Sequence, residues 1–235
     1  GISHFHQFNT SHIVVIPLNQ HCLHIFERSF DKLTTKDRIG DCNMSGNRDG
    51  SNPLFDGPSQ SVSDIRNREI LYVIDQNREE IRIVNIADRM AGTVELQLRF
   101  GDKFLQITQA ENATFYISVH SEISNSTCII SLDLIPLKNA SSEYYLTFNL
   151  LRAFPLFSAF SQVTQVTWIS NHTLMYMEEQ QTLVEVKTLK FLNFSAQTHG
   201  SINFSSPLLA SFAIDRNLSR HHIEFYTHGS TIASI

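Results

Sequence analysis

Basic residues are in the minority in this sequence, and it contains no long apolar run. Lys and Arg number 18 against 23 Asp and Glu, which gives a formal net charge of −5 and a pI near 6.1. Proteins that bind nucleic acid through its phosphates need a positive surface, so nucleic acid is not an expected partner. No apolar run reaches the roughly 18 to 20 residues that cross a bilayer, and we expect no membrane-spanning segment in this chain.

Helical periodicity and a targeting segment are also missing. No stretch keeps apolar residues at helical spacing between capping residues over three turns, which favours an all-β chain. The sequence begins Gly-Ile-Ser-His, without a starting Met or a basic-then-apolar signal, so we interpret it as a mature or excised fragment. At 235 residues with 42% hydrophobic side chains, it is long enough to bury a core as one domain.

Acceptor motifs for N-glycosylation are unusually frequent. Of sixteen Asn residues, nine begin an Asn-x-Ser/Thr motif, where Ser and Thr frequency alone gives about three. The nine predicted sites are Asn9, Asn43, Asn112, Asn125, Asn139, Asn171, Asn193, Asn203 and Asn217. Their number predicts passage through the secretory route and an extracellular location, secreted or as the ectodomain of a membrane protein.

A hairpin pattern recurs along the chain. Residues 13–26 align without gaps on residues 71–84, and both contain a β-branched run, a polar turn and an alternating strand. Weaker copies begin at positions 115, 174 and 223, and the fourth copy is expected to turn at residues 178–182 into a strand at 183–186. A spacing of about 45 to 60 residues is typical of propeller blades.

The linking segment between the first two hairpins carries a resemblance to a known family. Gly40-Asp41-Cys42, Gly46-Asn47-Arg48-Asp49-Gly50 and Leu54-Phe55-Asp56-Gly57-Pro58 resemble the connector of secreted NHL-repeat proteins, and Asn19-Gln20-His21-Cys22 resembles the motif before it. The match is clearest over residues 1–90. Propellers of the YWTD receptor type share the hairpin rhythm and remain an alternative for the rest of the chain.

The rhythm and the resemblance together imply a β-propeller of four-stranded blades, with about five units and an incomplete or open ring. The predicted units are 1–45, 55–100, 101–150, 161–200 and a truncated 207–235, within one propeller fragment. Phe55 is expected to be a wedge between neighbouring blades, and Pro58 to stiffen the start of the next strand.

Three cysteines allow either one disulfide with an odd thiol or three reduced thiols. Cys22 lies on the second strand of the first hairpin, and Cys42 ends the outermost strand of the same unit or follows it. Neighbouring strands lie about 4.8 Å apart, which is within disulfide reach. We therefore predict a Cys22–Cys42 disulfide that leaves Cys128 unpaired.

Catalytic constellations are not evident. The sequence has no Gly-x-Ser-x-Gly elbow and no phosphate-binding Gly-rich loop. Eleven histidines include an early group and a late pair, but their spacing does not define a metal site. These histidines are His4, His6, His12, His21, His24, His221 and His222.

The resulting expectation is an extracellular binding module whose propeller loops contact a protein or glycan ligand, not an enzyme, with no cofactor, metal or catalytic residue. The alternative is a secreted metal-assisted lyase or hydrolase in which histidines converge on the central channel.

Overall fold

A computed structural model describes most of the strands and the connections of the first two units. The backbone is described for residues 2–8, 11–30, 32–94, 102–109, 114–123, 126–136, 146–156, 161–170, 173–180, 186–193, 198–204, 211–215, 222–227 and 230–234. Side chains are described for residues 4–8, 11–30, 32–94, 102–109, 114–123 and 130.

The described chain forms five antiparallel sheets, each built from strands that follow one another in sequence. Sheet one contains β1 (Ile2–Gln7), β2 (His12–Pro17), β3 (Cys22–Arg28) and β4 (Leu33–Gly40). Sheet two contains β5 (Pro58–Ser63), β6 (Ile70–Asp75), β7 (Glu80–Asn85) and β8 (Met90–Val94), with a 3₁₀ turn at Gln76–Arg78. Sheet three contains β9 (Asp102–Gln109), β10 (Thr114–Ser121), β11 (Ser126–Pro136) and β12 (Leu146–Leu156).

The last two sheets are described by their backbone. Sheet four contains β13 (Ser161–Ser170), β14 (Thr173–Gln180), β15 (Val186–Asn193) and β16 (Thr198–Phe204). Sheet five contains β17 (Ser211–Asp215), β18 (His222–Thr227) and β19 (Ser230–Ser234). The predicted all-β fold is therefore confirmed, and four of the five described sheets have four strands.

The repeated hairpin of the sequence corresponds to the two middle strands of sheets one and two. β2 pairs with β3 through Val14 and Ile25, and β6 pairs with β7 through Ile74 and Ile81. The fourth predicted hairpin is wrong in its turn. β14 continues through Gln180, and its partner strand is Val186–Asn193, so residues 178–180 are strand and residues 183–185 lie outside the described residues.

Sheet two is covered on both faces, which is how stacked propeller blades bury their strands. Ile70, Tyr72 and Ile74 belong to a core cluster that extends to Phe104 and Phe115 of sheet three. The alternate residues Leu71 and Val73 belong to a second cluster with Val14, Ile16, Leu23, Ile25 and Ile39 of sheet one. Because successive strand residues point to opposite faces, a continuous apolar run such as that of β6 requires a partner on each side.

The first strands of successive sheets lie beside one another and are joined by polar side chains. His4 Nε2 lies 3.0 Å from the Ser61 carbonyl oxygen, and His6 Nε2 accepts the Ser63 amide at 3.1 Å. Between sheets two and three, Gln60 accepts the Ile107 amide at 2.7 Å. These hydrogen bonds fix the spacing of the sheets along the line of first strands.

Candidate ligand-binding cleft

A cavity of about 350 Å³ lies between β4 and the connector, which we define as residues 41–57 between sheets one and two. Three arginines line this cavity. Arg38 comes from β4, Arg48 from the connector and Arg89 from the turn between β7 and β8, where its φ of 56° is left-handed. We call this site, defined by Arg38, Arg48 and Arg89, the arginine cleft. The remaining wall is formed by Ile39, Gly40, Asp41, Ser51, Asn52, Pro53 and Leu54.

The arginine cleft is a positive site on a chain with a net charge of −5. Arg89 Nε donates to Asp37 Oδ2 at 2.6 Å, and Arg48 Nε donates to the Asn52 carbonyl oxygen at 2.7 Å. Within the described part of the chain no carboxylate lies within ion-pair distance of Arg38 or Arg48. The wall also contains Asp41, so three arginines face one carboxylate, and a concave surface with an excess of positive charge attracts anionic ligands.

A fourth arginine, Arg82, is buried beneath the connector and holds the wall of the cleft in place. The Arg82 side chain is fully buried, and its guanidinium donates to the carbonyl oxygens of Leu54 at 2.9 Å and Arg48 at 3.1 Å. It also donates to Asp49 Oδ1 at 2.7 Å and lies 5.2 Å from the ring centre of Phe55. These contacts hold both ends of the segment 48–54, which lines the cavity. The wall of the cleft is therefore fixed before any ligand binds.

Glycines permit the connector to follow this path. Gly40 has a φ of 94°, and a Cβ there would lie 2.8 Å from the Phe55 ring and 2.9 Å from the His21 carbonyl oxygen. Gly50 has a φ of 95° and exchanges two backbone hydrogen bonds with Ala91 on β8, at 2.8 and 3.1 Å. Left-handed backbone at these two positions is accessible to glycine and strained for most other residues. Phe55 is fully buried between sheets one and two, as expected of a wedge.

Asp75 is the buried acidic partner of the same network. Its Oδ2 accepts from Arg82 Nη1 at 3.4 Å, and its Oδ1 accepts the Asp56 amide at 2.8 Å. Burial raises the pKa of Asp75 to about 6, although the Asp56 amide and Arg82 oppose this shift. Burial prevails, and the nearby carboxylates of Asp56 and Glu80 raise the pKa of Asp75 further.

We expect the stability of the protein to fall as the pH rises through about 6. The pKa of Asp75 in the folded state lies above its ordinary value of 3.8. The contribution of Asp75 to the free energy of unfolding, roughly 2–3 kcal/mol, is therefore fully present below about pH 4. It is lost as the carboxyl ionises. Asp75→Asn should flatten this part of the profile of unfolding free energy between pH 4.5 and 7.5, measured by urea denaturation. Asp88→Asn, at an exposed position, should keep the wild-type slope; equal slopes for both variants and wild type would contradict the assignment.

Cys22 and Cys42 form the predicted disulfide, with their Cα atoms 4.7 Å apart. Cys22 begins β3 and pairs with Gly40 at the end of β4, so the disulfide attaches the first residues of the connector to sheet one. His24 Nε2 lies 3.4 Å from Cys22 Sγ and 3.5 Å from Cys42 Sγ. Burial, and then the charge of Arg38, lower the pKa of His24. The Cys128 side chain lies outside the described side chains, so its free state stays a prediction.

The other early histidines are dispersed over several contacts. His4 and His6 stack at 6.5 Å on the face of β1 that packs on sheet two. His12 Nε2 lies 2.7 Å from Lys36 Nζ, and His21 Nδ1 accepts the Gly57 amide at 3.3 Å. Among the described residues, the one group of three with metal-ligand spacing is Cys22, His24 and Cys42. His221 lies outside the described residues, and His222 begins β18.

Three of the nine predicted glycosylation sites lie within the described residues. Asn43 is exposed at the start of the connector, and its backbone N–H donates to Asp41 Oδ1 at 3.0 Å. Asn193 ends β15 and Asn203 lies in β16, where the backbone is described. The other six sites lie outside the described residues: Asn9, Asn112, Asn125, Asn139, Asn171 and Asn217.

Comparison with known proteins supports the fold class. The chain is similar to a crystal structure from Bacteroides fragilis that is provisionally assigned as a 6-phosphogluconolactonase, with a TM-score of 0.59, 10% identity, and coverage of 99% of this chain and 83% of that chain. This likeness places the chain in the β-propeller fold class. No family model and no curated protein matches the sequence, so the resemblance to NHL repeats stays a prediction.

The expectation that the chain is not an enzyme is contradicted by this likeness. The similar structure is named as a lactonase, and a lactonase is a hydrolase. Motifs of fixed spacing do not decide whether a propeller is an enzyme, because propeller sites combine residues from the ends of separate sheets. The structural description also contains no helix long and apolar enough to cross a membrane.

The arginine cleft was missed by sequence reasoning. Its three arginines come from β4, the connector and the turn after β7, and no motif joins them. The one sequence feature that pointed towards the cleft was the connector, because its motif predicts an ordered loop between two sheets and contains Arg48.

Proposed function

We propose that this protein is an extracellular binding module whose arginine cleft binds an anionic group, such as a sulfate, phosphate or carboxylate, of a glycan or protein ligand. The observation that carries the proposal is the convergence of Arg38, Arg48 and Arg89 on one cavity with a fixed wall. Guanidinium groups match the oxygens of these anions with paired hydrogen bonds. A rigid wall reduces the ordering cost of binding.

The extracellular part of the proposal is supported by two features. The Cys22–Cys42 disulfide is of a kind that persists in oxidising compartments. The nine glycosylation motifs are what a chain of the secretory route would carry, and the one motif with a described side chain, at Asn43, is exposed.

Binding to immobilised polysaccharides that carry sulfate, phosphate or carboxylate groups tests the proposal. We expect retention on at least one of them that weakens with rising salt, because exposed charges are screened. Arg38→Gln combined with Arg48→Gln should weaken binding by about tenfold or more, since each charged hydrogen bond contributes on the order of 1.5 kcal/mol. Arg68→Gln with Arg78→Gln changes net charge equally at exposed positions away from the cleft and should bind like wild type. Equal loss in the two double variants would show that net charge, and not the cleft, accounts for retention.

Glycosylation at Asn43 gives an independent test of location. Protein produced by cells with a secretory pathway should lose the mass of several glycans on N-glycanase digestion. Asn43→Gln should reduce that loss by one glycan, whereas Asn47→Gln, an exposed asparagine outside any motif, should not. A protein whose mass is unchanged by the digestion would contradict the extracellular proposal.

A hydrolase is the second candidate, favoured by the likeness to the provisionally assigned 6-phosphogluconolactonase. The arginine cleft would then hold the phosphate of a phosphorylated sugar lactone. Titration of the acid released from such a lactone should show hydrolysis above the spontaneous rate, and Arg38→Gln with Arg48→Gln should raise KM more than it lowers kcat. A rate that equals the spontaneous rate would eliminate this candidate and leave the binding proposal in place.

A further inference from the structure

Next to the arginine cleft, three side chains with metal-binding atoms meet at the start of the connector. His24 Nε2 lies 3.4 Å from Cys22 Sγ and 3.5 Å from Cys42 Sγ, and all three atoms lie within 4.8 Å of one another. We propose that Cys22, His24 and Cys42 bind Zn²⁺ when their disulfide is reduced, so that this centre alternates between a disulfide and a zinc site.

The geometry of the three atoms is already close to that of a zinc site. Tetrahedral zinc with bonds of about 2.3 Å to sulfur and about 2.0 Å to nitrogen places sulfur about 3.5 Å from nitrogen and about 3.8 Å from a second sulfur. Both distances from His24 Nε2 to sulfur agree with this arrangement to within about 0.2 Å. Only the two sulfur atoms have to separate once the bond between them is broken.

The sheet holds the imidazole in this position independently of the disulfide. Cys22 and His24 are alternate residues of β3, so their side chains share one face. His24 pairs with Arg38 on β4, and its ring stacks on Phe26 at 6.3 Å. Cys42 follows β4 by two residues, which brings its sulfur to the same face. Reduction therefore leaves two ligands on a paired strand and a third on the adjoining connector.

The centre is reachable from solvent on one side. Cys22 is fully buried, whereas His24 and Cys42 are half-buried. Three protein ligands leave the fourth position of a tetrahedral ion to water, an arrangement that zinc accepts in open sites. Thiolate and imidazole ligands select zinc over the hard cations calcium and magnesium.

The conversion is balanced by a dithiol reductant. Thiol–disulfide exchange transfers two electrons from the dithiol, which becomes a disulfide, and yields the two cysteine thiols. Zn²⁺ then displaces one proton from each thiol, and both protons pass to solvent. The site thus exists only where reductant and zinc are both available.

Zinc titration of the reduced protein tests the proposal. The protein is reduced with a phosphine, freed of reductant without air, and titrated with Zn²⁺ against a colorimetric chelator. We expect one tightly bound Zn²⁺ per chain in the reduced protein and none at this centre in the oxidised protein. His24→Gln should weaken binding by at least about tenfold, because it removes a ligand. His120→Gln on β10 is the matched control, and Cys128→Ser should retain the site.

A spectroscopic measurement separates a defined site from loose thiol binding. Co²⁺ in the reduced protein should show the visible absorption of a tetrahedral ion and a sulfur-to-cobalt charge-transfer band, and His24→Gln should alter both. The oxidised His24→Gln variant keeps the disulfide, so its folding can be tested separately from its zinc binding. Reduced protein that binds no Zn²⁺, or binds it equally well without His24, would overturn the proposal, and so would reduced protein that unfolds and is not refolded by Zn²⁺. In any of these cases the centre is a structural disulfide beside a histidine.

Discussion

We expect Arg82→Met to lower the free energy of unfolding by about 3 kcal/mol at pH 7. The guanidinium is fully buried and donates to Asp49, Asp75 and two connector carbonyl oxygens. Methionine fills a similar volume but leaves these acceptors without donors, and loss of one partner of a buried ion pair costs roughly 3–5 kcal/mol. We choose the lower end because Asp75 can bind a proton when Arg82 is removed.

Urea denaturation of Arg82→Met at pH 7 and pH 5 measures this effect. The deficit should be smaller at pH 5, since burial already raises the pKa of Asp75 to about 6 and the protonated carboxyl needs no cationic partner. Arg78→Met, at an exposed position in the 3₁₀ turn, should change stability by less than about 0.5 kcal/mol. An Arg82 variant as stable as this control would show that the network does not anchor the connector.

Replacing both bridged cysteines by serine is expected to cost on the order of 3 kcal/mol. The disulfide closes a loop with a sequence separation of 20, and removing it restores the conformational entropy of that loop in the unfolded chain. Cys22→Ser with Cys42→Ser should also speed hydrogen exchange of the connector amides, since one attachment of the connector to sheet one is lost. Arg82 continues to hold its far end.

Thermal and urea unfolding, together with hydrogen exchange, measure this loss. Cys128→Ser is the matched control for thiol removal, because it leaves the described disulfide intact. If the double serine variant exchanges the amides of residues 41–57 as slowly as wild type, the disulfide is not what fixes the start of the connector.

The parts of the fold that local sequence determines could be predicted. The first two hairpins followed from alternating apolar residues on both sides of a polar turn. The disulfide followed from the placement of Cys22 and Cys42 on adjoining strands of one unit. Both inferences depend on neighbours in one sheet, which a short stretch of sequence defines.

The fourth hairpin shows where local signals are insufficient. Glu178, Glu179 and Gln180 form a polar run of the kind that turns contain, yet they pair in register with Thr188, Lys187 and Val186. A polar run becomes a turn only if backbone pairing is interrupted there. The partner strand that prevents the interruption lies outside the run itself, so the run alone could not reveal it.

Arg82 and the arginine cleft depend on how sheets pack against each other. Arg82 points to the face of β7 opposite to that of Ile81 and Ile83, but this second face of the sheet is also covered, so Arg82 is buried. The cleft requires β4, the connector and the β7–β8 turn to converge. Neither burial of a polar face nor convergence of distant turns has a local sequence signature.

Arginine-selective chemical modification, read by mass spectrometry, tests most directly whether the cleft is the binding site. The protein is treated with an arginine-directed dicarbonyl reagent with and without the polysaccharide that it retains best. We predict protection of Arg38, Arg48 and Arg89 by the ligand, with unchanged modification of the exposed Arg66, Arg68 and Arg78. Protection of the second set, or uniform modification of all six, would contradict an anion-binding site in the arginine cleft.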